Sequence, residues 1–182
     1  VRQKWGRLTG RFVVDWRPDW AGFDDSLIYA SYSRGYKGGG ANPPPIGMDP
    51  ARLVVFDNPD RFEAETVNAY ELGFKGRAFN NRLTFSSSAF FYDYSGYQIS
   101  QIVDRLALNE NFDAKMWGAD VELAYRFSDR FRVNFVGGYL KSRIADGEES
   151  IDVMDRTQGN DEYAVVKPWV QLASNCIAPV SK

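Results

Sequence analysis

The sequence has no histidine, a single cysteine, a net charge of only −2 and no apolar run long enough to make a helix that crosses a bilayer. Each lack excludes something. Without histidine the chain loses the commonest metal ligand and general base. One cysteine, Cys176, closes no internal disulfide, so in an oxidising compartment it is a free thiol or pairs elsewhere. A charge near zero leaves no basic footprint for nucleic acid. The missing apolar run argues against a helical span but not against a barrel, because only every second residue of a barrel strand meets lipid. Mean hydropathy is accordingly low, at −0.41. The chain starts at Val1, with no charged-then-apolar leader after it, and stops at Lys182 in loop-like sequence. It reads as a piece of something longer.

What the chain has is alternation and aromatics, the latter 15% of residues and gathered near the ends of the alternating tracts. In tract 116–127, Trp117, Ala119, Val121, Leu123, Tyr125 and Phe127 fall on one face, and Gly118, Asp120, Glu122, Ala124 and Arg126 on the other. Successive strand residues point to opposite sides, so this tract has a greasy face and a charged face. Phe131, Val133, Phe135, Gly137 and Tyr139 repeat the pattern after a turn at Ser128, Asp129 and Arg130. Four earlier tracts are expected at 5–16, 26–36, 66–77 and 82–94. The first places Leu8, Gly10, Phe12, Val14 and Trp16 together. The second, with Leu27, Ile28, Tyr29, Ala30 and Tyr32, is too apolar throughout for its faces to be assigned.

The connections alternate in length. Short ones are expected at 17–25, 79–81 and 128–130, and long ones at 37–65, 95–114 and 145–182. Triplets of glycine (38–40) and proline (43–45) break the first long loop. In the second, 97–103 is strand-like enough to prolong its hairpin, and in the third 163–170 is strand-like. An up-and-down meander with tight turns on one rim and working loops on the other has this form, as outer-membrane barrels do. The expected class is therefore all-β: an antiparallel meander belonging to a transmembrane barrel. Six strands do not close such a barrel, whose smallest examples have ~8. Either further strands lie in the tail or the missing ones lie outside the chain.

No motif argues for covalent chemistry. Asp120 and Glu122 stand ~7 Å apart on one strand face, the separation of an inverting glycosidase pair, without any other catalytic feature. The glycine triplet lacks phosphate-loop spacing and a following helix. The acidic tail, with Asp146, Glu148, Glu149, Asp152, Asp155, Asp161 and Glu162, matches no calcium loop and reads as a solvated segment. No metal or cofactor is expected.

Four runs, in order, resemble strands of the TonB-dependent outer-membrane receptors: YASYSRGYKGG at 29–39, ETVNAYELGFKG at 65–76, AFFYDY at 89–94 and WGADVEL at 117–123. The likeness extends over about 8–144. It implies a ~22-stranded barrel with a plugged lumen, importing a scarce ligand, most often a ferric siderophore, across the outer membrane of a Gram-negative bacterium. It also implies partners: outer-membrane lipid, a plug domain, the remaining barrel strands and the TonB complex. The plug, the TonB-contacting box and the terminal aromatic strand of the family are not recognisable here, so the whole of 1–182 is expected to be a partial barrel, incomplete at both ends.

On this resemblance, Arg34, Tyr36, Lys37, Tyr97 and Gln98 lie where strands run into long loops. There, cations and aromatics suit an anionic, ring-containing iron chelate; the plainer reading is an interfacial girdle. Glu71, Lys75, Asp120, Glu122 and Arg126 are expected to face the lumen, against plug or ligand, or simply against water with weak ion pairs. Two other classes compete: a passive porin or small barrel, which would lack an upstream plug, and a soluble β-rich carbohydrate-binding module, which would need no detergent.

Overall fold

The computed structural model describes residues 3–42, 60–103, 106–146, 149–151 and 177–179. Among them all regular structure is strand: β1 Gly10–Trp16, β2 Asp25–Lys37, β3 Gly40–Ala41, β4 Arg61–Phe62, β5 Glu65–Ala78, β6 Leu83–Val103, β7 Leu106–Ser128, β8 Phe131–Ile144, β9 Glu149–Ile151 and β10 Ile177–Pro179. The six long strands form one open antiparallel sheet in the order β1-β2-β5-β6-β7-β8. β3 pairs with β4 and β9 with β10 in two small ribbons. The all-β meander read from alternation is the fold.

Cross-strand register sorts the sheet into two faces. One carries the rows Phe12–Tyr32–Tyr70–Phe91–Trp117, Val14–Ala30–Leu72–Ala89–Ala119–Tyr139 and Trp16–Ile28–Phe74–Ser87–Val121. The other carries Asp15–Tyr29–Gly73–Ser88–Asp120 and Leu27–Lys75–Ser86–Glu122. Sheets with one apolar and one polar side normally bury the apolar side. Here it is bare: Leu72 is 59% exposed, Phe135 56% and Tyr139 61%. The buried apolar residues among those described are Ala78, Phe112 and Ala114, so no second layer covers the sheet.

Aromatic rings mark two levels on the apolar face. Towards the long loops, Tyr32, Tyr70 and Phe91 run side by side, with centroids 5.2 and 6.3 Å apart. Towards the turns, Trp20 stacks on Phe74 at 6.1 Å, and Phe127 packs between Tyr125 and Phe131 at 4.5 and 5.4 Å. Between Trp117 and Phe127 lie roughly ten steps of ~3.4 Å, which at a tilt of ~40° span about 26 Å, the height of a barrel's apolar band.

The turns explain why the rims differ. At 79–82 three residues in a row are left-handed: Phe79 (φ 58°), Asn80 (55°) and Asn81 (59°). Asparagine tolerates that region; phenylalanine rarely does. The Phe79 ring meets Tyr125 edge-on at 6.5 Å, and Asn81 donates its N–H to Asp24 at 2.8 Å. In the other connection Ser26 donates to the Pro18 carbonyl at 2.5 Å, and Phe23 N–H donates to Trp20 at 3.1 Å.

Several sequence boundaries move. Residues 5–9 of the first tract are not strand, and β1 is seven residues long. The second long loop is almost wholly strand: β6 and β7 run on through it, 21 and 23 residues long, as an extended hairpin. β7 thus begins ten residues before the expected 116, at Leu106. A bulge between Tyr94 and Tyr97 lets this extension leave the sheet, with Gly96 at φ 66°. Ser128 belongs to β7 rather than to the turn. The strand-like 163–170, Cys176 and the acidic tail past Asp146, apart from the backbone of β9, lie outside the described residues.

Candidate functional site

The polar face carries all five residues expected to look into a lumen. Glu71, Lys75, Asp120, Glu122 and Arg126 share its parity, and Lys75 and Glu122 stand in one row with Ser86 between them. The cluster is centred on Tyr29, whose hydroxyl donates to Glu71 Oε1 at 2.6 Å. Its ring lies across Gly73, where a Cβ would collide with it, and the Lys75 ammonium sits 5.7 Å from its centroid. An apolar-looking residue of β2 is therefore a polar-face residue, and the strand whose faces the sequence leaves open is resolved: Ile28, Ala30 and Tyr32 outward, Leu27, Tyr29 and Ser31 with the carboxylates. Nearer the turns Arg126 opposes Arg132 directly. Like charges facing each other across a ladder repel.

At the loop rim the five residues suggested for ligand contact do not converge. Arg34 and Tyr36 have the parity of the apolar face, and Lys37 the opposite one. Tyr97 pairs with Phe112 and meets Tyr94 edge-on at 5.2 Å. Gln98 is committed to structure. Its N–H donates to Glu65 Oε2 at 2.9 Å, and its side-chain amide donates to the carbonyls of Gly38 and Glu63 at 2.9 and 3.0 Å.

Sequence reasoning missed the network around Gln98. Asn111 donates to the Glu63 and Gly96 carbonyls at 2.9 and 2.7 Å and accepts from Glu63 N–H at 2.6 Å. Asn42 and Asn109 exchange bonds at 2.9 and 2.8 Å. These amides fasten the segment around β3 and β4 to the extended hairpin. The signal was Asn109 and Asn111 at a spacing of two, opposite Ser100 and Gln98; a stretch read as loop concealed it.

On the apolar side, beyond the aromatic row, a hollow of about 500 Å³ opens among Asp93, Asp113, Lys115, Trp117, Arg143 and Asp146. Arg143 Nη2 donates to both oxygens of Asp146 at 2.6 Å. The Lys141 ammonium stands 5.5 Å from the Trp117 ring centroid. Among the described residues, no group of three or more Asp, Glu, Cys or His has the arrangement of a metal site.

A face of bare apolar side chains, two aromatic levels and turns sorted from loops describe a wall between lipid and water. Comparison with known proteins agrees. The family described as TonB dependent receptor-like, beta-barrel, matches residues 1–170. A search of the curated proteins finds no match. The chain therefore belongs to the TonB-dependent receptor β-barrel family, a family of outer-membrane transporters and not of enzymes.

Proposed function

We propose that this chain forms part of the barrel wall of a receptor that actively imports a ferric siderophore or similar iron complex across a Gram-negative outer membrane. The observation that carries the reading is the continuous apolar face of a six-stranded meander, in a chain of this transporter family. The ligand first meets the long-loop rim, 37–65, 95–114 and the segment after 145. Lys37 and Tyr97, which have the parity of the inner face, offer it a cation and a ring, while Gln98 and its amide partners hold the rim in shape. On the inner side Glu71, Lys75, Asp120, Glu122 and Arg126 line the lumen against the plug, whose rearrangement, driven through TonB, releases the ligand inward.

The test is uptake of radio-iron siderophores by cells producing the protein in its native gene context, with fractionation of their membranes. Energy-dependent uptake by outer-membrane protein is expected. Uptake that survives collapse of the proton-motive force would favour a passive pore. Recovery of the protein in the soluble fraction would favour a soluble binding module and end the transport reading.

A further inference from the structure

The polar face ends, at the turns, in a row unlike the rest of it. Leu83 pairs with Tyr125 and Arg126 with Arg132, and the Arg126 N–H donates to the Arg82 carbonyl at 2.9 Å. Arg82, Arg126 and Arg132 therefore stand side by side on three neighbouring strands, with Cβ atoms ~5 Å apart from one strand to the next. All three are exposed, and they share the parity of Ser86 and Glu122, which is that of the polar face. The next row up is Thr84, Ala124 and Asn134. It adds a hydroxyl and an amide and no charge.

The row has no counter-charge of its own. Arg17 and Arg77 share Asp25, and Arg143 holds Asp146, but among the described residues Arg82, Arg126 and Arg132 form no ion pair. The carboxylates around them are placed elsewhere. Glu122 lies four residues along β7 from Arg126, ~13 Å away. Asp24 accepts the Asn81 N–H at 2.8 Å. Asp129, in the turn between β7 and β8, pairs with none of the three. Higher on the same face the balance is the reverse, with Glu71, Asp120 and Glu122 around Lys75. Three guanidiniums in one row repel one another. Each presents a planar fork of N–H donors that matches a carboxylate or a phosphate. An oxyanion is therefore drawn to the turn end of the face and not to its middle.

We propose that this row binds a small multivalent oxyanion, a phosphate or a polycarboxylate, between Arg82, Arg126 and Arg132, with Thr84 and Asn134 at its edge. The row borders the turns and is open to solvent, so a soluble ion reaches it. The proposal goes beyond the transport reading, because it follows from register and charge whatever the cargo. The test is calorimetric titration of the detergent-purified protein with pyrophosphate and with tricarballylate at constant ionic strength, and with acetate as the monovalent control. Saturable binding, tighter than that of acetate, is expected; the tighter of the two probes tells a phosphate site from a carboxylate site. Arg126→Gln should weaken it about tenfold, and Arg82→Gln or Arg132→Gln should weaken it less. Each of these variants should also unfold at higher denaturant without the anion, since repulsion is relieved, and should lose the further rise that the anion gives the native protein. A variant that fails to fold shows neither. Lys115→Gln, on the opposite face, should leave binding unchanged. Absence of saturable binding, an equal response to acetate, or full affinity in Arg126→Gln would each overturn the proposal. A row already neutralised by carboxylates elsewhere in the receptor gives the first of these outcomes.

Discussion

β6 and β7 run through two regions that obey different physics. Between the aromatic levels they are the middle of a six-stranded wall, and most of their side chains sort by solvent: Phe85, Val121 and Leu123 on one side, Ser86, Ser88, Asp120 and Glu122 on the other, with Ser87 and Phe90 as exceptions. Beyond the bulge the same strands stand out as a two-stranded ribbon, held to their surroundings by asparagine and glutamine amides. An isolated two-stranded hairpin is marginal in water. The amide network supplies here what neighbouring strands supply below. The wall is specified by a repeated rule and the ribbon by particular residues.

The largest way to break this contrast is to violate the rule in the wall. Leu123→Arg should cost about 2–4 kcal/mol at a lipid-facing position, whereas Glu122→Arg, one residue away, should change stability by under about 1 kcal/mol. Denaturant unfolding of both variants reconstituted in lipid checks this, and equal tolerance would erase the distinction between the faces. Gly73→Leu comes next. Its side chain must displace the Tyr29 ring, so a loss of about 1–3 kcal/mol is expected from overpacking, with Gly73→Ala already measurable in the same assay.

A smaller effect sharpens the other half. Asn111→Ala takes the donor from the Gly96 carbonyl and the acceptor from the Glu63 N–H, while the Glu63 carbonyl keeps Gln98, a cost of about 0.5–1.5 kcal/mol. It should appear as faster hydrogen exchange at 60–65 and 96–98, with wall amides unaltered; a global loss of protection would mean that ribbon and wall are one cooperative unit. The smallest concerns the turn rim. Arg77 donates to Asp25 at 2.8 Å and, with Arg17, holds its carboxyl below the ordinary value. A depressed folded-state pKa means a contribution present above the unfolded value of ~3.9 and lost as pH falls through the lower folded value. Asp25→Asn should flatten that acid limb of the stability profile by lowering stability slightly at neutral pH and leaving it unchanged below the folded-state pKa.

Much of the wall was legible because lipid and water impose a period of two that any stretch of sequence displays. The facing of Trp117, Val121, Leu123, Phe131 and Phe135 follows from that alone. β2 resisted because tyrosine belongs to both worlds: Tyr29 looks apolar in a string of letters, yet its hydroxyl serves Glu71 and its ring serves Gly73, facts that belong to β5. Val136 and Leu140 break the rule on the polar face of β8, an edge strand with both sides open. The left-handed Phe79 has no signature in its own residue type, which rarely takes that backbone. The rim network was hidden for a related reason. Asn42, Glu63, Gln98, Asn109 and Asn111 are far apart in sequence, and their meaning arises from pairing.

The extra residue at Gly96 has a reach beyond its own bend. On β7, Phe112, Ala114 and Met116 keep one parity throughout, while on β6 the inward set passes from even to odd numbers between Tyr94 and Tyr97. The insertion works like a frame change confined to one rail of a track. Everything past it is released from the grammar that hydrocarbon imposes on the rest of the strand, so that part can change its spelling while the part embedded below keeps the old one.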